Sequence, residues 1–355
     1  MRQDRWWLRA PVLVAPDKFK GTFSAAEVAA AIADGLRDGG RKAEELPVAD
    51  GGEGTADALV RALGGEWMEA DASDALGRPI RGRFALLEDG VGASGRASAS
   101  ARASASARGA AASRASGRVA VVEAAEASGL ARIPEGERDA FAASSRGTGE
   151  LIAAAGDAGA SRVLVAVGGT ATTDGGAGAL EALDEAGVDP ELTVICDVRT
   201  PFEHAARVFA PQKGADPKTV KRLQSRLTAF AKRASRDPRG VPMTGAGGGL
   251  AGGLYAQRRA RLVPGAPFVL DALGFDALMR AASFVVTGEG RLDEQTLEGK
   301  AAGEVAVRCR QAGVACHAIV GQAAIDDFSF RILALDGLAE ATTPDELRTA
   351  GRELA

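Results

Sequence analysis

The chain is predicted to be an α/β protein in which a parallel-sheet domain is assembled from the two ends and a second α/β domain is inserted between them. Three observations carry this. Four short apolar runs end in a glycine-rich, acid-bearing turn and then become helices: VLVAPDKFKG from Val12, LPVADGGEG from Leu46, VLVAVGGTATTDGGAG from Val163 and FVVTGEGRLD from Phe284. Strand and helix alternate at both ends, whereas the middle carries hairpin-like text. A length of 355 residues also exceeds the usual single domain. The expected division is 10–68 with 270–355 for the outer domain and 69–269 for the insert.

In chain order, a strand at Val12 to Ala15 passes through Asp17 to Gly21 into a helix near Ser24. Ser24 and Glu27 have capping-box spacing, and SAAEVAAAIADGL keeps its apolar residues on one face. A second strand, Leu46 to Ala49, ends at Asp50 before the helix GTADALVRALGG. The strand-like pieces RGRFALLED and RVAVVEAAE follow. Between them Arg96, Arg102, Arg108 and Arg114 mark a hexad repeat without large apolar residues. Such text buries too little surface to offset its ordering entropy, so 90–118 is expected to be a disordered hairpin tip; a basic arm for acidic partners is the alternative.

A helix near Gly149 leads into the strand RVLVAVGG, and another helix follows the glycine loop. Next come a strand at Thr193 to Asp197, a long amphipathic helix over 217–235 and a helix opened by GAGGGLAGGL. The closing third alternates FVVTGEG, the helix of GKAAGEVAVRCRQAG, the strand CHAIVGQ and a helix near Pro344.

Composition narrows the function. A net charge of −4 argues against nucleic acid or an anionic membrane as the main partner. Cys196, Cys309 and Cys316 are odd in number and form no C-x-x-C pair, which indicates free thiols in a reducing compartment. Arg9 and Pro11 interrupt any hydrophobic region at the start, and no stretch reaches membrane-spanning length, so the expected location is the cytoplasm.

Generic signatures fail. GEGRLDEQTLEGKAAG has too long a gap for a P-loop and places Ala301 where a metal-binding hydroxyl belongs; Gly247, Gly249 and Gly252 spell a dinucleotide fingerprint, but VPMT before them is a poor strand. With His204 and His317 the only histidines, a histidine dyad is not expected.

The loop Gly168 to Gly178 is more specific. Gly168, Gly169, Gly175 and Gly176 flank Thr170, Thr172, Thr173 and Asp174 just before a helix, an arrangement that suits phosphate oxygens. The plainer reading has Asp174 or Thr173 merely capping that helix. Asp50 and Glu53 have N-cap and N3 spacing, so a reciprocal cap explains them without chemistry. Lys20 stands in a strand-to-helix turn, and Arg146 is a bidentate clamp candidate for carboxylate or phosphate. Lys213 and Lys300 are weaker candidates of the same kind.

Taken together, APDKFKGTFSAAEVAAAI, PVADGGEGTADAL, SRGTGELI, VGGTATTDGGAGAL, CDV with ARVFAPQKGAD, GAGGGLAGGL and VVTGEGRLDEQTLEGK resemble the bacterial glycerate kinase family of the glyoxylate and galactarate type. The resemblance implies a flavodoxin-like domain, discontinuous in sequence, with a second α/β domain between its parts. It also implies ATP-dependent, Mg²⁺-assisted phosphorylation of D-glycerate, with 2-phosphoglycerate the usual product.

Phosphoryl transfer rests on positioning and charge neutralisation. On that chemistry Lys20 and Arg146 are expected to meet charge on glycerate or the phosphoryl group, and Asp50 or Asp197 to orient the attacking hydroxyl. The loop residues Gly168, Gly169, Thr170, Thr172, Thr173, Gly175 and Gly176, with Lys300, are expected to serve ATP. Asp174, Glu289 and Asp293 are the expected Mg²⁺ ligands. A family member that binds nucleotide or glycerate without turnover is the alternative.

Overall fold

The computed structural model describes residues 10–88 and 117–355. Its strands in chain order are β1 (Val12–Pro16), β2 (Ala43–Glu45), β3 (Gly65–Ser73), β4 (Pro79–Leu87), β5 (Arg118–Glu123), β6 (Ala160–Ala166), β7 (Glu191–Cys196), β8 (Arg261–Pro264), β9 (Val285–Gly288), β10 (Cys316–Val320) and β11 (Gly337–Glu340). Two compact units result: residues up to Asp50 with Ala266–Ala355, and Gly51–Gly265.

The first unit holds a five-stranded, wholly parallel sheet in the order β11-β10-β9-β1-β2. Numbered within the unit the order is 2-1-3-4-5, the flavodoxin-like topology, whose ligand crevice lies beyond the carboxyl ends of the strands. All five residues of β1 are buried, as a strand covered on both faces requires. Helix Ala25–Asp38 forms where expected, because the Ser24 side chain accepts from Glu27 N while the Glu27 carboxylate accepts from Ser24 N at 2.8 Å. Its buried face, Val28, Ala29, Ile32, Ala33 and Leu36, joins Val12, Val14, Val286, Ile319 and Leu347 in one core. Each fully buried aliphatic side chain there contributes about 1.5–3 kcal/mol.

One strand is displaced from its expected place. The second strand is Ala43–Glu45, not Leu46 to Ala49. Leu46 N and Val48 N still donate to Val14 O and Pro16 O, at 2.8 and 3.0 Å. Pro47 between them has no N–H, so the regular ladder ends before it.

The second unit carries a six-stranded mixed sheet in the order β3-β4-β5-β6-β7-β8. The expected hairpin text is the antiparallel set β3-β4-β5, and β5 to β8 run parallel. Leu87 pairs with Val119, so the chain leaves and re-enters the sheet at neighbouring positions. The arginine hexads between them lie outside the described residues. Helix Thr55–Leu63, expected in the outer domain, belongs to this unit, since Ala56 N donates to the buried Glu123 carboxylate of β5 at 2.7 Å. The units therefore part after Asp50 rather than at 68, and rejoin at Ala266.

Among the described residues no helix is long and apolar enough to cross a membrane. The three cysteines are buried and unbridged.

Candidate functional site

In the second unit three segments meet: the turn before helix Thr55–Leu63, the loop after β6 and the residue after β7. A methyl group on Gly168 would stand 2.6 Å from Gly52 Cα and 3.0 Å from Asp197 Oδ2, so only glycine lets these turns come so close. Gly168 N donates to Gly51 O at 3.2 Å. Asp197 directly follows β7, and Gly51 to Glu53 precede helix Thr55–Leu63. The expected reciprocal cap by Asp50 and Glu53 is not formed: the helix starts from Gly54 in a left-handed conformation (φ 90°), with no side-chain cap.

Asp174 is surrounded by donors of the protein itself. One of its oxygens accepts from Ser145 N and Ser145 Oγ, both at 2.8 Å, and from Gly178 N at 3.2 Å; the other accepts from Gly176 N at 3.0 Å. Four donors converge on a buried carboxylate that pins helix Ala177–Ala186 to the start of helix Arg146–Asp157. Little acceptor capacity is left for a cation.

Arg146 is likewise committed elsewhere. Its guanidinium donates to Glu150 at 3.0 Å and pairs with Glu185, in a partly exposed acidic cluster, and this raises its pKa, chiefly through Glu185.

The glycine-threonine loop is held by its own surroundings. Thr172 Oγ1 donates to Gly247 O at 3.3 Å, Gly175 N to Gly248 O at 3.2 Å, and Thr173 Oγ1 is buried without a partner among the described residues. Lys213, a weaker candidate in the sequence and only 3% exposed, touches this loop directly, donating from Nζ to Thr172 O at 2.6 Å and to Thr170 Oγ1 at 3.4 Å. Burial lowers its pKa to about 8, while the charges of Asp174 and Asp197 pull it upward. The signal in the text was the glycine after it: Gly214 adopts φ 90° and ends the short turn Pro211–Lys213.

The first unit gathers a separate set. Asp17 follows β1 and is buried; its carboxyl is pushed well above the usual range by desolvation and then by the charge of Asp50, with a smaller push from Glu289. Sequence reasoning gave Asp17 no role. Lys20 is exposed in the turn beyond it, and a methyl on Gly290 would lie 3.1 Å from Lys20 N, so the turns after β1 and β9 touch.

Glu289 Oε1 accepts from Thr296 Oγ1 at 2.6 Å, and Lys300 Nζ bridges Glu289 Oε2 at 3.2 Å and Asp293 Oδ1 at 3.3 Å. Burial raises the Glu289 pKa against the lowering influence of Lys300. The three candidates Glu289, Asp293 and Lys300 are therefore brought together, with the ammonium lying where two carboxylates converge.

The glycerate kinase family model matches residues 12–191 and 183–343 of this chain. A glycerate kinase of Bacillus subtilis (strain 168) is 35% identical over 92% of this chain and 89% of its own. A glycerate 2-kinase of Escherichia coli (strain K12) is 33% identical over 81% and 79%. A crystal structure of a protein proposed to be glycerate kinase 2 of Salmonella typhimurium LT2 superposes with a TM-score of 0.74 at 30% identity, covering 97% of both chains.

Proposed function

The chain belongs to the glycerate kinase family, a family of phosphotransferases, and on that premise we propose that it transfers the γ-phosphoryl group of ATP to a hydroxyl of D-glycerate, giving 2-phosphoglycerate, in the cytoplasm. The observation that carries the assignment of roles is the meeting, within one unit, of Gly51 and Gly52, the loop from Gly168 and Asp197. Backbone donors next to a helix start suit phosphate oxygens, and a carboxylate beside them suits a hydroxyl that must lose its proton.

In this reading Gly168, Gly169, Thr170, Thr172, Thr173, Gly175 and Gly176 hold the phosphates of ATP. Asp197 accepts the proton of the attacking hydroxyl as its oxygen bonds to the γ-phosphorus and ADP leaves; Asp50 is the second acid available for that work. Lys20, exposed on its turn, meets the glycerate carboxylate or the transferring group.

Among the described residues no group of three or more His, Cys, Asp or Glu side chains is placed to hold a metal. Mg²⁺ binds readily through one or two carboxylates plus phosphate oxygens and water, and Glu289 with Asp293 fits that donor set. Lys300, already a cation between them, marks the position as one suited to positive charge. Bound there, Mg²⁺ would supply positive charge. Asp174 and Arg146 take no part.

Coupled ADP release with D-glycerate and MgATP tests the reading, and phosphorus NMR of the product separates 2- from 3-phosphoglycerate. Lys20→Ala and Asp197→Asn should each lose at least about a hundredfold in turnover, the scale of a lost positioning or general-base group. A melting shift on ligand addition without ADP release would instead mean binding without turnover. Near wild-type rates in both variants would remove the assigned roles.

A further inference from the structure

We propose that Lys213 is a positioning residue for phosphoryl transfer, the buried cation that fixes the conformation of the glycine-threonine loop through Thr172 O and Thr170 Oγ1. The inference rests on the assignment of that loop to ATP and deepens it.

The argument starts from peptide geometry. A trans peptide points its C=O and the following N–H in opposite directions, so whatever holds Thr172 O also fixes the direction of Thr173 N–H. Lys213 Nζ holds Thr172 O at 2.6 Å, a short, charge-assisted contact. The same peptide is confined from another side, because a side chain at Gly248 would overlap Thr172 O.

The loop is thus wedged between an ammonium and a turn without a Cβ, and the peptide between Thr172 and Thr173 has a single orientation. Thr173 Oγ1, buried in the same peptide unit without a partner, is a second polar group whose hydrogen bond is not supplied by the described residues. A phosphate oxygen is an acceptor of the kind that such a hydroxyl lacks.

Burial of a lysine is costly unless its charge is offset. Here Asp174 and Asp197 provide the offset. Asp174 accepts from four donors, and Asp197 stands beside Gly168. One ammonium therefore ties the phosphate-binding loop to the acid proposed to receive the substrate proton, by contact with the first and by charge with the second.

The test compares Lys213→Met, which keeps volume and removes charge and donors, with Lys213→Arg. Both should fold with the wild-type circular dichroism spectrum. In Lys213→Met the KM for ATP should rise about tenfold or more, as loss of a charge-assisted hydrogen bond implies, while the KM for D-glycerate stays within about twofold. Arginine should not rescue, since its planar fork does not fit a slot built for one Nζ.

Should Lys213→Met fail to fold, the wild-type enzyme still decides. Its KM for ATP should climb as pH rises past about 8, where the ammonium facing Asp174 and Asp197 loses its proton, with the KM for D-glycerate flat. An active wild-type enzyme with unchanged KM for ATP in Lys213→Met, equal rises in both KM values, or an ATP KM that is flat from pH 7 to roughly pH 9.5 would overturn the inference. Absence of ADP release by the wild type would instead overturn the kinase reading.

Discussion

At the scale of single residues the same types of side chain divide sharply by what already surrounds them. Asp174 and Glu289 are both buried acids, yet Asp174 receives four donors whereas Glu289 shares a cation with Asp293. Asp174→Asn should therefore act on stability: an amide NH₂ would face N–H donors, and the loss should be about 3 kcal/mol, read as a lower urea midpoint with unchanged slope. A variant of wild-type stability that fails only in Mg²⁺ dependence would reverse this account. Lys300→Met should act on pH dependence. Burial raises the Glu289 pKa from 4.5 and Lys300 lowers it, so removing the ammonium raises it further. If the ionised form is the one that works, kcat/KM falls as pH drops through that pKa, and the acid limb of the variant should lie at higher pH than that of the wild type. An unmoved or lower acid limb would detach Glu289 from the rate.

At the scale of elements, the text was most legible where local chemistry alone decides. The Ser24 and Glu27 capping box needed nothing from the rest of the chain and formed as read, and the apolar run of β1 was legible as a strand although its ladder partners lie elsewhere. The misreadings came where tertiary partners decide. Asp50 and Glu53 have capping spacing, but Gly54 takes the left-handed turn that starts the helix, and helix Thr55–Leu63 joined the second unit because Glu123, far along the chain, receives its N-terminal N–H. Arg146 looked like a clamp because its own text could not display Glu185 on a neighbouring helix. Lys213 carried little weight in the text for the complementary reason: its partners Thr170 and Thr172 lie 43 and 41 positions away. The glycine run GAGGG shows what a turn element contributes. Gly248 has φ 68° and abuts the peptide of Thr172 and Thr173. Gly248→Ala combines a strained φ with a steric overlap, so it should push that peptide aside and lower kcat/KM by at least about tenfold even in the fraction that folds. Full activity in Gly248→Ala would mean that the loop conformation does not matter to transfer.

At the scale of the whole molecule, the order of the chain is not the order of its cores. Val12, Val14, Val286, Ile319 and Leu347 share one core although the chain passes through Gly51–Gly265 between Val14 and Val286. Thr287 Oγ1 donates to Ala15 O across 272 positions, and β1 pairs on one side with β2 and on the other with β9. The interior strand β1 of the first unit is therefore incomplete until residues beyond Ala266 arrive, a late and entropically costly closure. The second unit is continuous, with its own core of Phe84, Leu86, Val122, Leu151, Ile152, Val163, Val165 and Leu183. A core of that size in a continuous chain is enough for independent folding. Residues Gly51–Gly265 expressed alone should give one cooperative urea transition. Residues 10–50 alone should give none, because β1 would lack β9 and most of its apolar surroundings. Should the 51–265 fragment unfold without cooperativity while the full chain unfolds in a single step, the inserted unit would depend on the outer one for its stability, and its core would have to be counted as incomplete.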